Sequence, residues 1–345
     1  MNYKFRTKAL AFVSIFFAVV MDAIARDDCN PPPQDVAKLV EIRSGFHKVT
    51  GPLAQFDPCH ASVNFSMPGI FSRKIVDPPP LMIIAHGGNG PGGAEMEMMR
   101  RMNREGVATL LYDAYEMNGF QYKGTTLFLL GVANESRQRM IFKATYGAYQ
   151  WVQNQPKIDS SRIYINGLSN GGSVAVNMAG VVDPKHVPAV IAEGASPTGI
   201  GFPDKTNVPL KLVYGRLDNY GGKAEDDWMY TRSDPCGFNF AFEMAPVGVA
   251  ARCSAINNPQ GMVPSPLEWM SSLKAQGLPV EMLSYENAAH GILNGPMNKG
   301  IRTYGTGTTA NFRYGWTGSS YDVPDKYISD IVKLIKSNSN SSAKN

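Results

Sequence analysis

Short apolar or β-branched runs recur along the chain and are interleaved with helical patterns. The runs are LMIIA at 81–85, VATLLY at 107–112, RIYIN at 162–166, AVIA at 189–192, LKLVY at 210–214 and VEMLSY at 280–285. Helical periodicity falls at 94–104, 137–153, 171–181, 266–276 and 324–336. Brief runs without apolar–polar alternation suit strands covered on both faces, and strand–helix alternation builds a mostly parallel sheet between helix layers. The expected class is therefore α/β, a mostly parallel central sheet flanked by helices. ASVNFSM at 61–67 reads as a first strand. A chain of 345 residues, 43% hydrophobic and 18% charged, can bury such a core in one domain. We find no internal repeat and no linker that would divide it.

Two stretches break the rhythm. Residues 219–263 are long and hold two cysteines; residues 293–322 are rich in Gly, Thr, Asn and aromatics and precede the last helix. Both read as inserted loops near the site, since long loops inside a compact domain commonly serve as lids or binding loops. The expected division is a leader at 1–25 and one domain at 26–345, with 26–60 as an N-terminal arm carrying Pro31-Pro32-Pro33.

The leader reading rests on a basic start (Lys4, Arg6, Lys8), an apolar run at 9–21 and the small-x-small sequence Ala23-Ile24-Ala25. This is the build of a cleaved secretory signal, with Arg26 as the mature terminus. The apolar run falls short of the roughly 20 residues a spanning helix needs, so stable membrane insertion is not expected. A secreted or periplasmic location follows, and with it disulfides among Cys29, Cys59, Cys236 and Cys253. Three pairings are possible; Cys29–Cys59 and Cys236–Cys253 close the shortest loops. No cysteine–histidine spacing suits zinc, so no metal is expected. The net charge of +4 owes much to the leader, where three basic residues oppose only Asp22, and no basic run points to nucleic acid.

The chemistry centres on Gly167-Leu168-Ser169-Asn170-Gly171, which matches G-x-S-x-G between a strand and a helix. That turn lifts a serine above the sheet edge, and its glycines avoid clashes with neighbouring backbone. A serine hydroxyl needs a base, and the base needs an orienting acid. The α/β-hydrolase order is Ser, acid, His. His290 follows the last strand, whereas His186 comes earlier in the chain. Asp218 follows the 210–214 strand; nearby Glu225, Asp226 and Asp227 read as a solvated face. The oxyanion donors are expected from the Asn170 amide and from the turn His86-Gly87-Gly88-Asn89-Gly90, with Gly88 preferred and Asn89 as the alternative. His86 is expected to brace that turn. Tyr115, Trp228 and Trp316 are candidates to line a substrate pocket, with Tyr304, Phe312 and Tyr314 beside Trp316 in the same insert.

The run from Gln155-Pro156-Lys157-Ile158-Asp159 through Arg162-Ile163 to Gly167–Gly172 resembles the dienelactone hydrolase family. So do Gly215 with Asp218, and Tyr285, Ala288, His290 and Gly291 in the pattern Tyr-x-x-Ala-x-His-Gly. The resemblance implies a parallel sheet flanked by helices and cofactor-free hydrolysis of an ester or lactone. Members named for dienelactone carry a cysteine nucleophile, so Ser169 argues against dienelactone itself. Export and the two inserts shift the expectation toward a small, aromatic or polymeric ester met outside the cytoplasm. A peptidase or an acyltransferase would use the same three residues, and a non-catalytic binding protein would be expected to have lost one of them.

Overall fold

A computed structural model of the chain describes residues 56–72, 77–120, 134–197, 199–218, 252–254, 262–264, 266–304 and 311–342. The expected leader, the arm up to residue 55, Cys29, Cys236, Trp228 and the Glu225–Asp227 cluster lie outside the described residues.

The apolar runs form the sheet. In chain order its strands are β1 (Asn64–Ser66), β2 (Leu81–Ala85), β3 (Ala108–Leu111), β4 (Ile163–Leu168), β5 (Ala189–Glu193), β6 (Leu210–Gly215) and β9 (Val280–Tyr285). Between β6 and β9 lies a small antiparallel ribbon, β7 (Arg252–Ser254) with β8 (Met262–Pro264). The spatial order is β1-β3-β2-β4-β5-β6-β9. β1 runs antiparallel to β3, and every other pair is parallel. Every residue of β2, β3, β4 and β5 is buried, as runs without alternation require.

Alternate residues along each strand face two separate cores. Leu81, Ile83, Ile163 and Ile165 pack with the short α2 (Ala114–Met117), α3 (Asn134–Val152), α4 (Asn170–Ala179) and α5 (Pro266–Ala275). Met82, Ile84 and Tyr164 pack with α1 (Gly93–Arg104) and α6 (Val323–Ser342) through Met98, Met102, Tyr327, Ile331 and Ile335. The molecule is thus three layers, helix on sheet on helix. Each fully buried Met, Leu or Ile side chain contributes about 1.5–3 kcal/mol of transfer free energy.

From β2 the chain steps to β3 on one side, then crosses back to β4 on the other. The order therefore reverses between β2 and β4, and the C-terminal strand ends beside such a reversal are where open α/β sheets gather ligands.

Two expectations change in detail. β4 extends through Gly167 and Leu168, because both pair with β5, as Gly167↔Ala192 and Leu168↔Glu193. The 293–322 insert is not an irregular loop. It contains an antiparallel hairpin of β10 (Asn298–Tyr304) and β11 (Asn311–Thr317), in register at Ile301↔Tyr314. None of the helices among the described residues is long and apolar enough to cross a membrane.

Candidate active site

At the end of β4, Ser169 adopts φ 60° and ψ −116°, the left-handed turn of a nucleophile elbow. A non-glycine residue held there costs about 1–3 kcal/mol, so the surroundings must enforce it. They do so by close packing. A Cβ on Gly167 would lie 2.0 Å from the Gly171 carbonyl oxygen, and one on Gly171 would lie 2.0 Å from that of Ala85. The two motif glycines let strand, turn and helix touch backbone to backbone. The Ser169 amide donates to the Glu193 carbonyl at 2.8 Å, and its own carbonyl starts α4 by accepting from the Ser173 amide at 2.9 Å.

Asp218 and His290 lie in contact. The Nδ1 of His290 lies 2.8 Å from Oδ2 of Asp218, and both side chains are almost wholly buried. A carboxylate can only accept, so Nδ1 carries the proton in the neutral ring and Nε2 is the basic nitrogen. The His290 backbone is clamped by β11. Its amide donates to the Trp316 carbonyl at 3.2 Å, and its carbonyl accepts from the Gly318 amide at 3.1 Å. The ring lies against Gly194, where a Cβ would stand 2.7 Å from Cε1. Ser169 and His290 are therefore both carried by consecutive residues at the end of β5, one on the Glu193 carbonyl and the other over Gly194.

The turn after β2 is built to aim one amide. The Gly87 carbonyl accepts from His86 Nδ1 at 2.8 Å and from the Gly90 amide at 3.1 Å. In a planar trans peptide the Gly88 N–H points the opposite way. His86 Nε2 accepts from the Ala114 amide at 3.1 Å, which fixes its tautomer and gives it the bracing place expected. The Gly87 amide is already bound, to Glu95 Oε1 at 2.9 Å. Among the described residues, the Gly88 and Asn170 amides donate to no protein acceptor. Gly88 also lies against Asn170, since a Cβ on it would stand 3.0 Å from the Asn170 Nδ2. Asn89 is exposed beyond this contact.

Of the expected pocket aromatics, Trp228 lies outside the described residues. Tyr115 is fully buried; its hydroxyl donates to the Gly88 carbonyl at 3.3 Å and its ring meets His86 edge-on, so it holds the turn from behind. Trp316 is half-buried in β11. Of Tyr304, Phe312 and Tyr314, only the backbone is described. A groove of about 550 Å³ lies elsewhere, between α1 and α6, lined by charged residues such as Arg104, Glu105 and Lys336. Among the described residues, no group of three or more His, Cys, Asp or Glu side chains could hold a metal.

Sequence reasoning missed four polar residues around this constellation. Arg137 on α3 is 1% exposed and donates to the Gly88 carbonyl at 3.4 Å. Gln138 donates to the Asn170 side chain at 3.2 Å and accepts from the Ile200 amide at 2.8 Å. Glu95 binds the Gly87 and Gly92 amides. Glu193 accepts from the Ile292 amide at 2.6 Å, and burial pushes its carboxyl up to about 7, against the pull of its hydrogen bonds to Ile292 and Tyr327. A glutamate ending the buried AVIA run, just before a glycine, was the one visible signal among these.

The strand order, the crossover at β2 and the strained serine after β4 define the α/β-hydrolase fold. No family model matches the sequence, and no curated protein matches it. Solved structures do resemble the fold. A putative dienelactone hydrolase from Klebsiella pneumoniae is 16% identical with a TM-score of 0.41, over 66% of this chain and 87% of that one. A dienelactone hydrolase from Anabaena variabilis is 16% identical with a TM-score of 0.40, over 66% and 81%. Est1E from Butyrivibrio proteoclasticus with ferulic acid bound is 13% identical with a TM-score of 0.41, over 82% and 95%.

Proposed function

We propose that the chain is an exported serine hydrolase that cleaves carboxylic esters by two-step acyl transfer. Ser169 attacks the ester carbonyl while His290 Nε2 takes its proton, and Asp218 stabilises the imidazolium. The Gly88 and Asn170 amides receive the oxyanion of the tetrahedral intermediate. His290 then returns the proton to the leaving alkoxide. Water repeats the sequence on the acyl-serine and releases the acid. The observation that carries this reading is the 2.8 Å bond that His290 Nδ1 donates to Asp218, with the His290 ring seated on Gly194, the residue after the one whose carbonyl holds the Ser169 amide.

A fluorophosphonate probe tests it: the mature protein should be labelled at Ser169, and Ser169→Ala should take no label and lose at least about 10³-fold in activity toward p-nitrophenyl esters. Labelling that persists in Ser169→Ala sinks the assignment. Peptide substrates cleaved faster than esters would move the reading to a peptidase, and transfer to added alcohols would move it to an acyltransferase. Export is supported by the leader pattern and by the even set of cysteines. It predicts a mature protein that begins at Arg26 and resists thiol alkylation until reduced. A chain recovered with Met1 intact from an export-competent host would overturn it.

A further inference from the structure

The Gly88 and Asn170 amides sit on different elements, and a run of hydrogen bonds joins those elements from α3. It starts in the loop after β5, where the Ile200 amide donates to Gln138 Oε1 at 2.8 Å. Gln138 Nε2 donates to Asn170 Oδ1 at 3.2 Å. With Oδ1 held there, the Asn170 Nδ2 faces Gly88 and would stand 3.0 Å from a Cβ on it. The Tyr115 hydroxyl gives its one proton to the Gly88 carbonyl at 3.3 Å, so the hydrogen bond it shares with the Asn170 side chain is donated by Nδ2. Arg137 Nη1 reaches the same carbonyl at 3.4 Å. Arg137 and Gln138 are each 1% exposed, and Tyr115 is fully buried.

Each bond orients the next. A buried carboxamide that accepts at one end and donates at the other has a single orientation, so Gln138 dictates that of Asn170. The backbone is shaped to admit it: a Cβ on Gly199, at φ +93°, would lie 2.3 Å from Gln138 Oε1. At the other end, Gly88 has no side chain to restrict its dihedrals, so its amide direction depends on the peptides on either side. The Gly87 carbonyl before it is held by His86 and Gly90, and the Gly88 carbonyl after it by Tyr115 and Arg137. Asn170 belongs to both walls, with its backbone amide in one and its side chain against the other.

Resting on the esterase reading, we propose that Gln138 is a positioning residue: through the Asn170 side chain and Tyr115 it sets the spacing of the two amides that receive the oxyanion. One such donor is worth about 10²–10³ in kcat, and a displacement of about 1 Å costs up to about 10²-fold. The ground-state carbonyl carries little charge, so the brace acts on turnover more than on substrate binding.

The test uses Gln138→Met, Tyr115→Phe and the double variant in the full mature chain, with p-nitrophenyl butyrate. Both substitutions keep the side-chain volume and add no charge. Each single variant should lower kcat about 10-fold with KM within about 2-fold. Each should weaken inhibition by phenylboronic acid, which forms a tetrahedral adduct on serine, in the same proportion. Because both cut one brace, the double variant should fall no more than about 2-fold below the less active single, whereas independent damage would multiply to about 100-fold. Singles with wild-type kcat, or a double at the product of the singles, overturn the proposal. A wild-type protein that neither hydrolyses esters nor takes the fluorophosphonate probe defeats the esterase reading instead. NMR still decides the brace without turnover: the wild type should show a nuclear Overhauser contact between the Asn170 Nδ2 protons and Gly88 Hα, weakened in Gln138→Met. Its absence from the wild type overturns the proposal even where a variant fails to fold, and so does its full strength in Gln138→Met.

Discussion

Gly194 shows how closely single residues set the chemistry. It has φ +56°, and a Cβ there would press on Cε1 and Nδ1 of His290 at 2.7 and 2.9 Å. Gly194→Ala should therefore act on the base more than on the fold. We expect kcat to fall about 100-fold with KM little changed, for a stability loss of about 1–2 kcal/mol. Steady-state kinetics beside a denaturant melt separates the two effects. A variant with wild-type kcat would show that the ring does not rest on Gly194 during turnover. Asp218, His290 and Ser169 could be named as candidates from the sequence because their order is fixed by the strands that carry them. Glu193, Glu95, Arg137 and Gln138 could not. They act through contacts between elements far apart in the chain, and a single sequence gives buried glutamate and surface glutamate the same letter.

The elements were legible where burial was two-sided and obscure where it depended on a partner. β2, β3 and β5 announce themselves as apolar runs. The last residues of β4 do not, because Gly167 and Leu168 are strand only through their pairing with Ala192 and Glu193. The β10–β11 hairpin was equally hidden: NKGIRTY and NFRYGWT carry glycine and charge at positions that suggest a loop. Its base matters to the site, since the Trp316 carbonyl and the Gly318 amide hold the His290 backbone. Replacing residues 301–314 with a short Gly-Ser turn keeps the Lys299↔Trp316 and Gly300↔Gly315 pairs. Hydrolysis of p-nitrophenyl acetate should then stay within about 3-fold of wild type, while preference among bulkier esters shifts, as expected of a loop outside the chemical core. Loss of acetate hydrolysis would place the outer hairpin in the machinery itself.

For the whole molecule, the buried carboxyl of Glu193 couples the site to stability. Its folded value of about 7 stands above the ordinary 4.5. A raised carboxyl favours the folded state most below pH about 4.5, and the benefit is lost as pH rises through about 7; a shift of this size corresponds to about 3 kcal/mol. Thermal melts between pH 5 and 8 should fall by several degrees more in the wild type than in Glu193→Gln, and equal slopes would contradict the assignment. The welded elbow has a last consequence. Ser169 holds φ 60° only while β2, β4 and α4 touch backbone to backbone. In an unfolded chain it is an ordinary, unactivated serine. On the proposed mechanism, the rate at which Ser169 takes a fluorophosphonate counts native molecules, and across a urea series it should trace the same transition as circular dichroism, making that serine a gauge of how much of the population is folded.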